Sequence, residues 1–103
     1  MINISDSTSV KLSSQFRFQW EEAQQSFVLL YPEGMIQLSA SAGEILNRCQ
    51  QQITIAEIIS DLQTAFTEAD PEELTTDVRE FIQEANDQAW LEGEFIPTVQ
   101  KRG

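Results

Sequence analysis

The stretch Phe16-Arg17-Phe18-Gln19-Trp20-Glu21-Glu22-Ala23-Gln24-Gln25-Ser26-Phe27-Val28-Leu29-Leu30-Tyr31-Pro32-Glu33-Gly34-Met35-Ile36-Gln37-Leu38 decides the fold of this chain. Phe16, Phe18 and Trp20 alternate with Arg17 and Gln19, and such a period of two predicts a half-buried strand. Phe27 to Tyr31 is apolar on both faces, which suits a central strand with helices on one side. Pro32-Glu33-Gly34 predicts a tight turn, because proline presets the dihedral at the second position and glycine tolerates what the exit requires. Met35 to Leu38 is the third strand. Two short connections make the three strands an antiparallel meander.

Three helix starts follow. Ser41-Ala42-Gly43-Glu44 matches a capping box, in which Ser and Glu satisfy orphan backbone donors reciprocally, and Ile45, Leu46 and Cys49 make a short apolar stripe behind it. Thr54-Ile55-Ala56-Glu57 is a second box, after which Ile55, Ile58, Ile59, Leu62 and Phe66 recur at helical spacing. Asp70-Pro71-Glu72-Glu73 places a capping Asp before a proline at the first helical position. Leu74, Val78, Phe81, Ile82 and Ala85 carry that helix to about Ala89. Trp90-Leu91 closes the core or starts a short tail strand, and Glu92-Gly93-Glu94 interrupts it. The expected fold class is α+β: a winged helix-turn-helix-like domain, a three-stranded antiparallel sheet followed by three helices. Residues 1–10, polar and without periodicity, read as a flexible N-terminal arm; residues 11–92 form one domain and residues 93–103 a C-terminal tail.

Composition narrows the function classes. The 103 residues carry 6 Lys and Arg against 17 Asp and Glu, a formal charge of −11. Nucleic-acid affinity rests on cationic contacts to phosphate, so neither nucleic acid nor an anionic membrane is the expected partner. A strongly negative domain attracts partners bearing Lys or Arg. The absence of histidine removes the usual general base at neutral pH, and no glycine-rich phosphate loop occurs, so the chain does not read as an enzyme. The N-terminus lacks the pattern of a signal peptide and no apolar run is long enough to span a bilayer, which makes a cytoplasmic protein the default. Cys49, the one cysteine, falls on the apolar stripe and reads as a buried thiol. Adjacent Glu21 and Glu22 point apart on any regular element and read as a solvated turn rather than a metal site.

Trp20-Glu21-Glu22-Ala23-Gln24, Leu29-Leu30-Tyr31-Pro32-Glu33-Gly34 and Ser41-Ala42-Gly43-Glu44-Ile45-Leu46 resemble the PqqD family of pyrroloquinoline quinone (PQQ) biosynthesis, relatives of the recognition domains for ribosomally made, modified peptides. The resemblance spans roughly Lys11 to Leu91. It departs from the family pattern twice. A Cys-Asp-Gly turn followed by Arg-Thr-Val reads Cys49-Gln50-Gln51-Gln52-Ile53-Thr54-Ile55, and a late Gly-Trp-Leu reads Ala89-Trp90-Leu91. The resemblance implies a non-catalytic chaperone that binds the precursor peptide PqqA and presents it to the radical S-adenosylmethionine enzyme PqqE. The iron–sulfur and redox chemistry would belong to that enzyme. One cysteine cannot ligate a cluster, and no cofactor or metal is expected here.

In related recognition domains the peptide adds as a further strand beside the third one, in a groove walled by the third helix. The expected peptide-binding residues are Met35, Ile36, Gln37 and Leu38 on the strand and Val78, Arg79, Phe81, Ile82 and Ala85 on the helix. Proline at Ile36 or Leu38 is expected to remove a donor offered to the peptide. Four or five ladder bonds at roughly 0.5–1.5 kcal/mol each, with two apolar anchors at about 1.5–3 kcal/mol each, give affinity on the order of micromolar once ordering is subtracted. Val78, Phe81 and Ile82 also fit an ordinary core, Met35 fits either role, and Arg79 fits either a peptide carboxylate or an internal ion pair. Trp20 fits a core anchor or an outer contact for the larger enzyme, and Trp90 a core anchor. An open edge can pair with its twin, so monomer and weak homodimer both remain. Two other classes compete: a winged-helix transcriptional regulator and a structural protein–protein adaptor. The third helix offers only Arg79 among Asp77, Glu80, Glu84 and Asp87, which argues against DNA.

Overall fold

The computed structural model of the chain describes residues 6–93. The meander is β2 (Arg17–Glu21), β3 (Ser26–Tyr31) and β4 (Gly34–Gln37), antiparallel in the order β2-β3-β4. Its register stacks Phe18, Leu29 and Ile36 in one row of the inner face, with Leu29 fully buried. Val28 lies on the other face between Gln19 and Gln37 and is also fully buried, so the central strand is apolar on both sides as its sequence requires. Phe27 stacks on Phe18, ring centroids 4.7 Å apart, and meets Trp20 edge-on at 5.0 Å. Gly34 closes the β3–β4 turn without a left-handed dihedral, so the expected conformational reason for glycine there does not hold.

A second sheet, unforeseen in the sequence, corrects the reading of residues 6–10 as part of a loose arm. β1 (Ser9–Leu12) pairs antiparallel with both β5 (Ile53–Thr54) and β6 (Leu91–Gly93). Val10 is fully buried in the core, a position no solvated arm would take. Leu91 to Gly93 therefore forms the short tail strand. Gly93 does not interrupt it: a Cβ there would lie 2.2 Å from the Ser9 carbonyl oxygen, so close approach of β1 requires glycine. The rest of the expected tail, residues 94–103, and residues 1–5 of the expected arm lie outside the described residues.

Three helices complete the core: α1 (Ala40–Arg48), which packs on β3, α2 (Ile55–Ala65) and α3 (Pro71–Asp87). The α1 cap is Ser39, not Ser41, and its side chain accepts from the Ala42 amide. Gly43 lies inside this helix because a Cβ would meet the Phe27 ring at 2.7 Å; the helix gives up propensity for close packing on β3. The α2 start is fully accounted for. Thr54 and Glu57 form the expected reciprocal box, while the Ile55 and Ala56 amides donate to the Thr8 and Asp6 carbonyls. Asp70 caps α3 ahead of Pro71, as expected. Ile55, Ile58, Ile59 and Leu62 of α2 and Val78, Ile82 and Ala85 of α3 join Leu29, Leu38, Leu46 and Cys49 in one core. Arg48 pairs with Glu44 on its own helix and ties α1 to α2 through Asp61. Burial alone would lower its pKa; its bonds to the two carboxylates outweigh that and raise it. Among the described residues no helix is long and apolar enough to cross a membrane.

α3 ends in a Schellman motif: the Trp90 amide donates to the Ala85 carbonyl and the Ala89 amide to that of Asn86, with Ala89 at a φ of 64°. Alanine thus occupies a left-handed position where the family pattern has glycine. Ala89→Gly is expected to raise the unfolding free energy by about 1 kcal/mol in urea titration; a loss of stability would contradict this helix end. Burial pushes the Cys49 thiol up to about 12, and its Sγ bonds the Ile45 carbonyl at 3.4 Å. At pH 8 the native thiol should therefore resist a disulfide reagent and react only on unfolding in guanidinium; rapid labelling of folded protein would contradict its burial.

Candidate functional site

The geometry of β4 fixes what its outer edge offers. The Leu38 amide donates to the Phe27 carbonyl at 3.0 Å. Hydrogen-bonded and non-bonded pairs alternate along an antiparallel ladder, so with Leu29 opposite Ile36 and Leu30 opposite Met35, Ile36 also points its backbone groups at β3. The amides and carbonyls of Met35 and Gln37 point away. Among the described residues no strand pairs with that outer side, and the Leu91–Gly93 segment is paired to β1 instead. The expectation that proline at Ile36 or Leu38 removes a donor from a peptide is corrected by this phase: both amides serve β3, and the outward donors belong to their neighbours.

Side chains alternate as well. Ile36 is half-buried on the inner face and Leu38 buried in the core, whereas Met35, 44% exposed, shares the outer face with Leu30. Gln37 is exposed beside Val28. Of the residues expected on the third helix, Ile82 and Ala85 are fully buried, and Phe81 is half-buried with its ring centroid 6.3 Å from that of Trp90. Val78 is buried at the base of a groove beyond the end of β4. That groove has a volume of about 600 Å³ and runs between the start of α1, the end of α2 and the first turns of α3.

Arg79 is paired internally. Its guanidinium holds Asp6 through two bonds of 3.0 and 2.7 Å. That bond, the larger cause, and the charge behind it keep the Asp6 carboxyl below its usual value and raise Arg79. The partner lies in the segment read as an arm, which is why sequence spacing could not reveal it. Trp20 is 46% exposed, with its indole donating to Glu22 at 3.1 Å, so it is no core anchor. Glu21 ends β2 and accepts from Gln19, and Glu22 opens the turn and accepts from Trp20 and Gln25.

Comparison with known proteins agrees with this architecture. The family described as Coenzyme PQQ synthesis protein D (PqqD) matches residues 26–91. A protein of Azotobacter vinelandii named PqqA binding protein is 45% identical over 82 residues, covering 80% of this chain and 87% of that one. One of Methylococcus capsulatus with the same name is 38% identical over 90 residues, covering 87% and 94%. One of Acinetobacter baylyi is 42% identical over 76 residues, covering 74% and 75%. The solution structure of the PqqD part of Methylobacterium extorquens PqqCD, described as a recognition element for ribosomally synthesized, post-translationally modified peptides, superposes with a TM-score of 0.71 at 24% identity, covering 87% of this chain and 95% of that one. By sequence over most of its length, and with a fold to match, the chain belongs to the PqqD family.

Proposed function

We propose that this protein is a non-catalytic peptide chaperone of PQQ biosynthesis. It binds the precursor peptide PqqA by strand addition to the open side of β4 and presents it to the radical S-adenosylmethionine enzyme PqqE. The observation that carries the reading is the outward-facing backbone of Met35 and Gln37: among the described residues no strand pairs with that side of β4, one of the two edges of the sheet, the other being β2. The names of the relatives, each a PqqA binding protein, support the choice of peptide. Backbone pairing holds a flexible substrate extended without chemistry of its own, which suits delivery to an enzyme that needs an exposed reacting residue. The same edge can pair with a second copy, so the free chain is a monomer or weak homodimer. Arg79, held by Asp6, takes no part in this reading, and Ile82 and Ala85 lie in the buried core.

Two outward residues offer two donors and two acceptors. At roughly 0.5–1.5 kcal/mol net per bond they contribute about 2–6 kcal/mol. Micromolar binding needs about 8 kcal/mol, and ordering a free peptide costs a further 2–5 kcal/mol or so. Strand addition alone therefore falls short, and side-chain anchors must supply the difference.

The reading is tested by calorimetric titration with synthetic PqqA of Azotobacter vinelandii. Gln37→Pro removes an outward donor at an edge position that tolerates proline, and should weaken binding about 5-fold with the fold intact. Ile36→Pro breaks the internal ladder and should cost stability instead. Unchanged affinity in Gln37→Pro would contradict strand addition.

A further inference from the structure

The shortfall in backbone energy directs attention to the groove beyond the end of β4. Its floor is Ile45, Leu62 and Val78, all buried, with Leu74 half-buried beside them. Phe66 stands at its lip, 43% exposed at the end of α2. A phenylalanine left this open beside an apolar floor has surface to gain from an apolar occupant. The rim is acidic: Glu68, Glu73 and Asp77 are exposed, and among the described residues no cation pairs with them. Arg48 and Arg79 are committed to other carboxylates. Ala40 and Ser41 also line the groove, and only Leu38 and Ser39 separate them from β4.

We propose that this groove is a second subsite for the same peptide, taking a large apolar side chain with a Lys or Arg close to it in sequence. The proposal rests on the peptide-binding reading above and adds its specificity: the β4 edge accepts any backbone, whereas an apolar floor under unneutralised carboxylates selects an apolar–cationic pair and disfavours acidic segments.

The test is a cycle of calorimetric titrations with Azotobacter vinelandii PqqA and with a form of it in which every Lys and Arg is replaced by Gln. The double variant Glu73→Lys/Asp77→Lys changes exposed side chains only, and its melting curve checks the fold. It should bind PqqA about 5-fold more weakly. The charge-stripped peptide should lose a similar factor against the unmodified protein and nothing further against the double variant. Phe66→Asp, also at the surface, should weaken both peptides. Wild-type affinity for PqqA in the double variant and in Phe66→Asp, with Gln37→Pro still impaired, would overturn the subsite and leave strand addition standing. Equal losses for both peptides in the double variant would overturn the charge pairing. Impaired groove variants with a normal Gln37→Pro would keep the groove and remove strand addition. No binding by the unmodified protein would remove both.

Discussion

Hydrogen-bond alternation along the β3–β4 pair is the constraint on which the functional account depends. Once Leu38 donates to Phe27, the phase of the whole strand is set. Ile36 must serve the sheet, and Met35 and Gln37 must face outward. The same phase places the Ile36 side chain inward and that of Met35 outward. The edge is short, which protects the free protein from open-ended association. Shortness also limits what the edge can contribute to binding, so recognition has to be shared with a surface that reads side chains.

The remainder of the structure holds this edge in place. Gly43 lets α1 settle on Phe27, and so anchors the helix that begins immediately after β4. The N-terminal segment ties the far side together: Asp6 and Thr8 accept from the first amides of α2, Asp6 holds Arg79 on α3, and Val10 fills the core between β5 and β6. Cations within the described fold are scarce, and both arginines on the helices are engaged internally. The carboxylates beside the groove are therefore left to set the local potential, and they set it for a cationic ligand.

What the sequence made legible was local. The meander showed through period-two alternation and a proline turn, α2 through its stripe and its capping box, and α3 through Asp70-Pro71. What it hid were partners distant along the chain. β1 and β6 are too short for periodicity to register, and only their pairing with each other and with β5 makes them strands. The Asp6–Arg79 pair joins opposite ends of the described fold, so Arg79 was equally readable as a ligand for a peptide. Ser39 and Ser41 both stand three residues before a donor or acceptor that suits a cap, and only the Gly43 amide bonding the Ser39 carbonyl shows the helix already begun. The groove was invisible for a similar reason, since its walls come from three helices.

Amide hydrogen exchange of the free protein and of its complex with PqqA reaches the central claim most directly. Strand addition requires the Ile36 and Leu38 amides to be protected in both states, and those of Met35 and Gln37 to exchange quickly in the free protein and slowly in the complex. Slow exchange at Met35 and Gln37 before the peptide is added, or unchanged fast exchange in a saturated complex, would contradict it.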